Sequence, residues 1–348
     1  MKNKFKSPSI KDIAKEAGVV ISTVSNVINK TRFVKPETRN KVLKAIKKLN
    51  YRPNIIARGL RTKSTRAIGV IVPDISSPFF SQVIRGMEEV ARNRGYTLIL
   101  GCTFYDVEEE ERQMNVLIDQ FIDGLIFFCG FNNYDHIKKI NERKVPVVVI
   151  DREVNDPKIP SVLINNALAM EMAVDYLCSF GHKEIGYLTF SFKEQGTVRK
   201  RYTGYCNGLK KNKIQYNPKF VIIDESIRLR EIEGTYTVVK KFLEKGYVPT
   251  AFITIADFLA YGLIKALKEE GYKIPSDISV VGFDNIVFSN FVDPPLTTVK
   301  QPKKLMGSKA MSLLLDIVEG KKIKNKNIVL PTQIVERESV GPPPRKDF

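Results

Sequence analysis

Apolar residues recur at two different spacings along this chain. Between Ser9 and Leu49 they fall three or four positions apart: Ile13, Ala14 and Ala17 in one stretch, Ile21, Val24, Val27 and Ile28 in the next, and Val42, Leu43, Ile46 and Leu49 in a third. That period predicts three short amphipathic helices with one shared core. Ser9-Ile-Lys-Asp12 reads as a capping box that opens the first helix, which runs to about Ala17, and Gly18 is the turn residue after it. The second helix ends near Asn29, and Pro36 suits the first position of the third. Two short helices joined across a glycine predict a helix-turn-helix. From Ala67 onward, short apolar runs alternate with helix-length stretches: 67–72, 97–100, 124–128, 145–150, 185–189, 220–223, 251–254 and 278–282. Continuous apolar runs of that length suit strands of a parallel sheet covered on both faces. Some 280 residues exceed one compact core of this kind, and the polar break Ser161 to Asn166 suggests two subdomains. The fold class is therefore α/β: a three-helix module followed by a two-subdomain, doubly wound body.

Charge sharpens this division. The first 66 residues hold 18 Lys or Arg against only Asp12, Glu16 and Glu37, so +15 of the chain's formal +18 lies there and the rest is nearly neutral. A basic helical module on a near-neutral body points to a polyanionic partner, with nucleic acid foremost. Enzyme readings lack their parts: there is no G-x-G-x-x-G after a strand, no Walker loop and no G-x-S-x-G elbow. His136 and His182 are too few for an ordinary histidine metal site, and His182 after Gly181 reads as a helix-end cap. Cys102, Cys129, Cys178 and Cys206 show no C-x-x-C spacing and read as reduced core thiols. No catalytic residue, metal or cofactor is assigned. Met1-Lys-Asn-Lys-Phe-Lys has no apolar signal core and no stretch could span a membrane, so a cytoplasmic protein is expected.

The stretches Ser9-Ile-Lys-Asp-Ile-Ala-Lys-Glu-Ala-Gly-Val19, Ser22-Thr-Val-Ser25, Thr38-Arg39, Tyr51-Arg-Pro-Asn54 and Ala57-Arg-Gly-Leu-Arg-Thr-Lys-Ser64 resemble the LacI/GalR family of bacterial regulators. So do Ile68-Gly-Val-Ile-Val-Pro73, Gly181-His182, Ile274 to Asp284 and Gln301-Pro302, so the resemblance spans essentially the whole chain. It implies that the second helix lies in the major groove, with Ile21, Ser22 and Asn26 facing bases. The spacing of Ile21 to Val24 and Ile28 equally fits a core or staple role. Asn26 stands where relatives commonly carry Arg; Asn pairs with adenine N6 and N7 where Arg would pair with guanine, so an atypical operator is expected. Ser9, Thr23, Ser25 and Asn29 match positions that hold phosphates, and Tyr51 is carried with them. Val20 stands where a Ser cap is expected, a loss of about 1 kcal/mol.

Asn54 to Arg61 is too short to be helical alone. The resemblance implies a hinge helix that forms on DNA, with Leu60 wedged into the minor groove between Arg58 and Arg61; packing of Leu60 on the body is the other reading. The implied boundaries are 1–52 for the DNA-binding domain, 53–66 for the hinge and 67–348 for an effector-binding and dimerisation body. Its N-subdomain would be about 67–165 and 299–330, its C-subdomain about 166–298 and 331–340, in the manner of periplasmic binding proteins. A ligand would bind between the halves, at the carboxyl ends of the strands. Candidates there are Asp74, Phe79, Phe80, Phe128, Asp151, Arg152, Asp257 and Asp284, with Arg201 as the matching effector anchor and Arg199 beside it. One of Phe79 and Phe80 is expected in the site and one in the core, and Asp284 before Asn285 could instead cap a turn. Arg152, Arg199 and Arg201 converging on one cleft would favour a sugar acid or sugar phosphate. Ala256-Asp257 departs from the usual Asn-Asp pair.

The expected function is a repressor that binds a near-palindromic double-stranded operator as a homodimer under control of a small-molecule effector, most simply a sugar. A protein-coregulated catabolite regulator of the same fold and an architectural DNA binder are the alternatives. Gly341 to Phe348 has no heptads to build a tetramer.

Overall fold

The computed structural model describes residues 8–29, 31–51, 64–128, 137, 140, 143–151, 156, 158–190, 196–228 and 231–345. The chain divides into two compact units, residues 1–65 and 66–348.

In the small unit, α1 (Ile10–Ala17), α2 (Ile21–Asn29) and α3 (Pro36–Lys48) pack around Ile13, Val24, Val27, Val42 and Ala45. The capping box is present in full: Asp12 N donates to Ser9 Oγ and Ser9 N donates to Asp12 Oδ2 at 2.7 Å. Gly18 takes the left-handed conformation that closes α1. Leu43, expected in the buried stripe of α3, is exposed; Ala45 fills that place.

The large unit contains two six-stranded sheets. In the first, β1 (Ala67–Val72), β2 (Thr97–Cys102), β3 (Gly124–Phe128), β4 (Val147–Ile150), β5 (Ser161–Ile164) and β11 (Asn327–Leu330) run in the order β11-β5-β4-β3-β1-β2. In the second, β6 (Ile185–Thr189), β7 (Val221–Ile223), β8 (Ala251–Thr254), β9 (Ser279–Asp284), β10 (Thr297–Lys300) and β12 (Gln333–Val335) run β12-β10-β9-β8-β6-β7. Every pairing is parallel except β10 with β12. β3, β4 and β8 are buried at every position, as strands covered by helices on both faces must be. The chain returns to the first lobe after Lys300, just past the crossing expected near Thr298, through helix Lys303–Val318, which packs on helix Pro78–Asn93.

Ser161 to Asn166, taken as a polar break, is instead the buried strand β5 followed by a helix N-cap, Asn165, whose side chain accepts from Leu168 N. Ser161 is tolerated there because its hydroxyl donates to Asn327 on β11. His182 caps the end of helix Asn166–Ser179 through its backbone, its N–H donating to the Leu177 carbonyl just past left-handed Gly181, while its side chain turns inward. It is 1% exposed, and its ring nitrogens meet Thr250 Oγ1, Ser279 Oγ and the carbonyl of Gly341, which ties the C-terminal segment to the second sheet. Cys102, Cys178 and Cys206 are free but only half-buried, at the edge of the core rather than in it; Cys129 and His136 lie outside the described residues. No helix among the described residues is long and apolar enough to cross a membrane.

Candidate functional site

Two sites emerge, one in each unit. On α2 the helical period separates faces: Val24 and Val27 point into the core, while Ile21 is 44% exposed and Ser22 is also exposed. The core reading of Ile21 therefore fails, since Val24 and Val27 form the buried face of α2 and Ile21 lies outside it. Asn26 is half-buried and its Oδ1 accepts from Thr31 Oγ1 at 2.9 Å, which fixes the amide at the end of this face. Asn29 donates to the carbonyl and hydroxyl oxygen of Ser25, a bond that holds the last turn of α2. Thr23 is half-buried, its backbone N–H donating to the carbonyl of Val20, and Val20 itself is 67% exposed with no side-chain acceptor to offer. Tyr51 packs partly against the three-helix core, so its ring is at least as much structural as available to DNA. Arg58, Leu60 and Arg61 lie outside the described residues.

In the body, a cavity of about 110 Å³ opens between the two sheets. Its lining follows strand ends. Pro73 comes just after β1, Asp151 after β4, Phe190 after β6, Ile255 and Ala256 after β8, Asp284 at the end of β9 and Gln301 after β10. This is the carboxyl-end crevice of two open parallel sheets. The first lobe adds an aromatic wall, with Phe79 edge-on to Phe80 at 5.2 Å and Phe80 edge-on to Phe128 at 5.3 Å. Phe79 and Phe80 are both buried and both line the cavity, so the expected division into one site and one core residue does not hold.

Arg201, on helix Gly196–Lys211, is 7% exposed. Its Nε donates to Asn166 at 2.8 Å, its Nη1 to the Ile255 carbonyl at 2.7 Å, and its guanidinium carbon lies 3.9 Å from the centroid of the Phe283 ring. Asp284 accepts from Gln301 Nε2 at 2.7 Å, and the Lys303 ammonium donates to the carbonyls of Asp284 and Asn285. Asp151 and Asp284 both have positive φ, 59° and 117°, a backbone strain that gathers where function requires a fixed side chain. Burial raises the Asp284 carboxyl above its ordinary range, opposed by the charges of Arg201 and Lys303 and the Gln301 bond. Burial pushes Asp151 up to about 6, against the pull of Arg201. Burial, then the charges of Asp284 and Asp74, pushes Glu231 up to about 8.

Among the sequence candidates, Phe79, Phe80, Phe128, Asp151, Arg201 and Asp284 come together in this cavity. Asp257 does not line it. It is fully buried behind Asp284, where it accepts from Thr298 Oγ1 at 2.6 Å, Ser289 Oγ at 2.7 Å and Ile286 N at 2.8 Å, and so holds the loop that presents Asp284. A side chain on Gly282 would strike this carboxylate. Burial, then the charge of Asp284, pushes Asp257 up to about 7, and its three hydrogen bonds oppose the rise. Asp74 is tied to Ser76 in its own turn and lines an adjoining cavity of about 270 Å³ that shares Ser77, Tyr105, Glu231 and Phe258 with the first. Arg199 is exposed and is not among the lining residues of either cavity, Arg201 lines the first, and Arg152 lies outside the described residues. Gln301, Glu231, Tyr105 and Phe190 are functional candidates that sequence reasoning missed; Gln301 alone fell within a stretch of family resemblance, Gln301-Pro302.

Comparison with known proteins agrees with both units. Residues 9–54 match the model of bacterial regulatory proteins of the lacI family, and residues 65–338 match that of periplasmic binding proteins and the sugar-binding domain of the LacI family. The chain is 35% identical over 331 residues to the HTH-type transcriptional regulator RegA of Clostridium saccharobutylicum, covering 95% of this chain and 98% of that protein. It is 35% identical over 333 residues to the HTH-type transcriptional repressor PurR of Pasteurella multocida, again covering 95% and 98%. A crystal structure of the lac repressor dimer bound to operator and the anti-inducer ONPF superposes with a TM-score of 0.84 at 29% identity, covering 97% of this chain and 100% of that one. The chain therefore belongs to the LacI family of bacterial transcriptional regulators, with a lacI-type DNA-binding head and a periplasmic-binding-protein-like effector domain.

Proposed function

We propose that this protein is a cytoplasmic repressor, not an enzyme, that binds a near-palindromic operator as a homodimer and releases or tightens its grip when a polyhydroxylated effector fills the body cavity. In this reading residues 1–52 read DNA, 53–66 form the hinge with Leu60 as its wedge and Arg58 and Arg61 on phosphates, and 67–348 bind effector and partner. The lac repressor dimer, described with operator and anti-inducer, is the precedent for that division. One observation carries the effector half. Gln301 Oε1 and Asp151 Oδ1 are buried without a hydrogen-bond partner among the described residues, and both residues line the cavity. Buried acceptors without donors are rare and costly, about 1 to 3 kcal/mol each, and a ligand with several hydroxyl groups supplies what both lack. Because ligand and DNA affinities are coupled reciprocally, the effector shifts operator affinity by the same factor by which operator shifts effector affinity.

Selection of the full-length protein on randomised duplex DNA at physiological salt, then titration of the selected duplex with sugars, tests this. The expected result is an enriched palindrome whose affinity a sugar changes. A pool with no enriched motif means an architectural binder, and a motif whose affinity responds to a protein but to no sugar means a coregulated one.

A further inference from the structure

Among the described residues, the charge of the cavity runs against the ligand class that its arginine suggests. Among the described lining residues, Asp151, Glu231 and Asp284 carry carboxyl groups and Arg201 alone a cation. Arg201 commits its Nε to Asn166, its Nη1 to the Ile255 carbonyl and one face to the Phe283 ring, while its charge still lines the cavity. Behind Asp284 the Lys303 ammonium lies closest in charge to Asp284 itself and next to buried Asp257, so it offsets part of one of these two carboxylates. The adjoining cavity is lined by Asp74 and Glu233 as well as by Arg228, which is paired with Glu225 at 2.6 Å. Glu231 feels the charges of Asp284 and Asp74, and it shares the lining of the adjoining cavity with Arg228.

Two features mark this as a binding region rather than an idle cluster of acids. Gln301 is 1% exposed and its Oε1 is unpartnered at the cavity wall. Glu231 lies in the lining of both cavities together with Ser77, Tyr105 and Phe258, so polar and aromatic side chains from both lobes meet at that junction.

Building on the effector reading, we propose that the effector is an amine-bearing polyol of the hexosamine class, its ammonium held beside Glu231 and its hydroxyl groups donating to Asp151 and Gln301. An ammonium brings three donors and one positive charge to a place where carboxylates repel one another, and the nearby rings of Tyr105 and Phe258 are compatible with a cation. A sugar acid or sugar phosphate would add a further negative charge beside Glu231 and Asp284. Burial holds Glu231 at about 8, so at pH 7 the carboxyl of the free protein is mostly protonated, and a bound ammonium would draw it into its charged form.

The test is calorimetric titration of the full-length protein at pH 7 with matched pairs, glucose and glucosamine, galactose and galactosamine, mannose and mannosamine, with gluconate and glucose 6-phosphate alongside. At least one amine should bind about tenfold tighter than its parent sugar, the scale of a charge-assisted hydrogen bond. Glu231→Gln should bring that ratio toward one, and Glu231→Asp should keep part of it. A neutral or anionic sugar that binds more tightly than every amine overturns the proposal and leaves the effector reading standing; an amine preference that survives Glu231→Gln overturns the assignment to Glu231. If no sugar in the set binds or alters operator affinity, the effector reading falls with it. Should Glu231→Gln fail to fold, the ratios measured on the unaltered protein decide.

Discussion

The DNA head and the ligand body place their selective side chains in opposite ways. On α2 the candidate readers Ile21 and Ser22 stand exposed on a helix whose other face, Val24 and Val27, does the folding. In the body, Arg201, Asp284 and Gln301 are all less than a tenth exposed, and each is held by bonds to other buried groups. The head thus separates recognition from stability by helical period. The body merges them, since a buried polar side chain that meets a ligand must also be satisfied by the fold. Substitutions in the body should change stability and binding together, whereas those on α2 should change specificity alone.

The largest effect is expected at Asp257. Asp257→Ala leaves Thr298, Ser289 and the Ile286 N–H without their acceptor in a dry interior, which costs roughly 3 kcal/mol or more by chemical denaturation. Because the same loop presents Asp284, effector affinity should fall with stability. Full stability with lost binding would break the comparison, by showing that the body also separates the two.

Arg201→Ala comes next, with about a hundredfold loss of effector affinity, on the scale of a charged hydrogen-bond donor removed from a buried site. Arg201→Lys should not restore it, because one ammonium cannot serve Asn166 and the Ile255 carbonyl and still stack on Phe283. Recovery by Lys, read by titration, would show that charge alone matters there.

On the head, Asn26→Arg should move the preferred base at its half-site position from adenine to guanine, a change of about 1 to 3 kcal/mol in discrimination, with the melting temperature of the protein unchanged. A shift in melting temperature of several degrees would mean that the Thr31 bond to Asn26 is part of the fold after all.

His182 sharpens the contrast through pH. Burial holds its pKa below the ordinary histidine value, with the Gly341 carbonyl opposing. The unfolded chain therefore takes up the proton more readily, so the stability His182 contributes is present above about pH 6.5 and is lost as pH falls through its lower folded value. Glu231, raised to about 8, runs the other way: its contribution is complete at acid pH and declines as pH rises through that value. His182→Gln should flatten the acid side of a stability–pH curve and Glu231→Gln the alkaline side, while operator selectivity measured with either variant stays that of the parent.

Legibility in the sequence divides along the same line. The head was legible almost to the residue, because a capping box, a left-handed glycine and helical period are local signals. In the body, Phe79, Phe80, Phe128, Asp151, Arg201 and Asp284 could be picked out by their place after an apolar run or by resemblance. Strand β10 could not: Thr297 and Thr298 look solvent-facing, yet both are buried because Thr298 donates to Asp257 and Thr297 accepts from Arg337 N. Missing that strand weakened the case for Gln301 at its end. Glu231 was hidden for a related reason, as the first residue of a helix whose tertiary position alone brings it to the cavity. Asp257 was misplaced because a carboxylate at a strand end signals a ligand and a structural network equally well.

The smallest effect tests the head at the start of α2. Helix α2 starts after Val20, which is 67% exposed and whose side chain can accept no hydrogen bond, although its carbonyl takes the Thr23 and Val24 N–H groups. Val20→Ser supplies the missing oxygen to a helix start that lacks one and should stabilise the head by about 0.5 to 1 kcal/mol, read as slower amide exchange along α2. Base preference should not move, since no reader of the face Ile21, Ser22 and Asn26 is altered. If operator affinity instead falls severalfold, the exposed valine makes a contact with DNA itself, and the missing cap is a feature of recognition rather than a flaw in the helix.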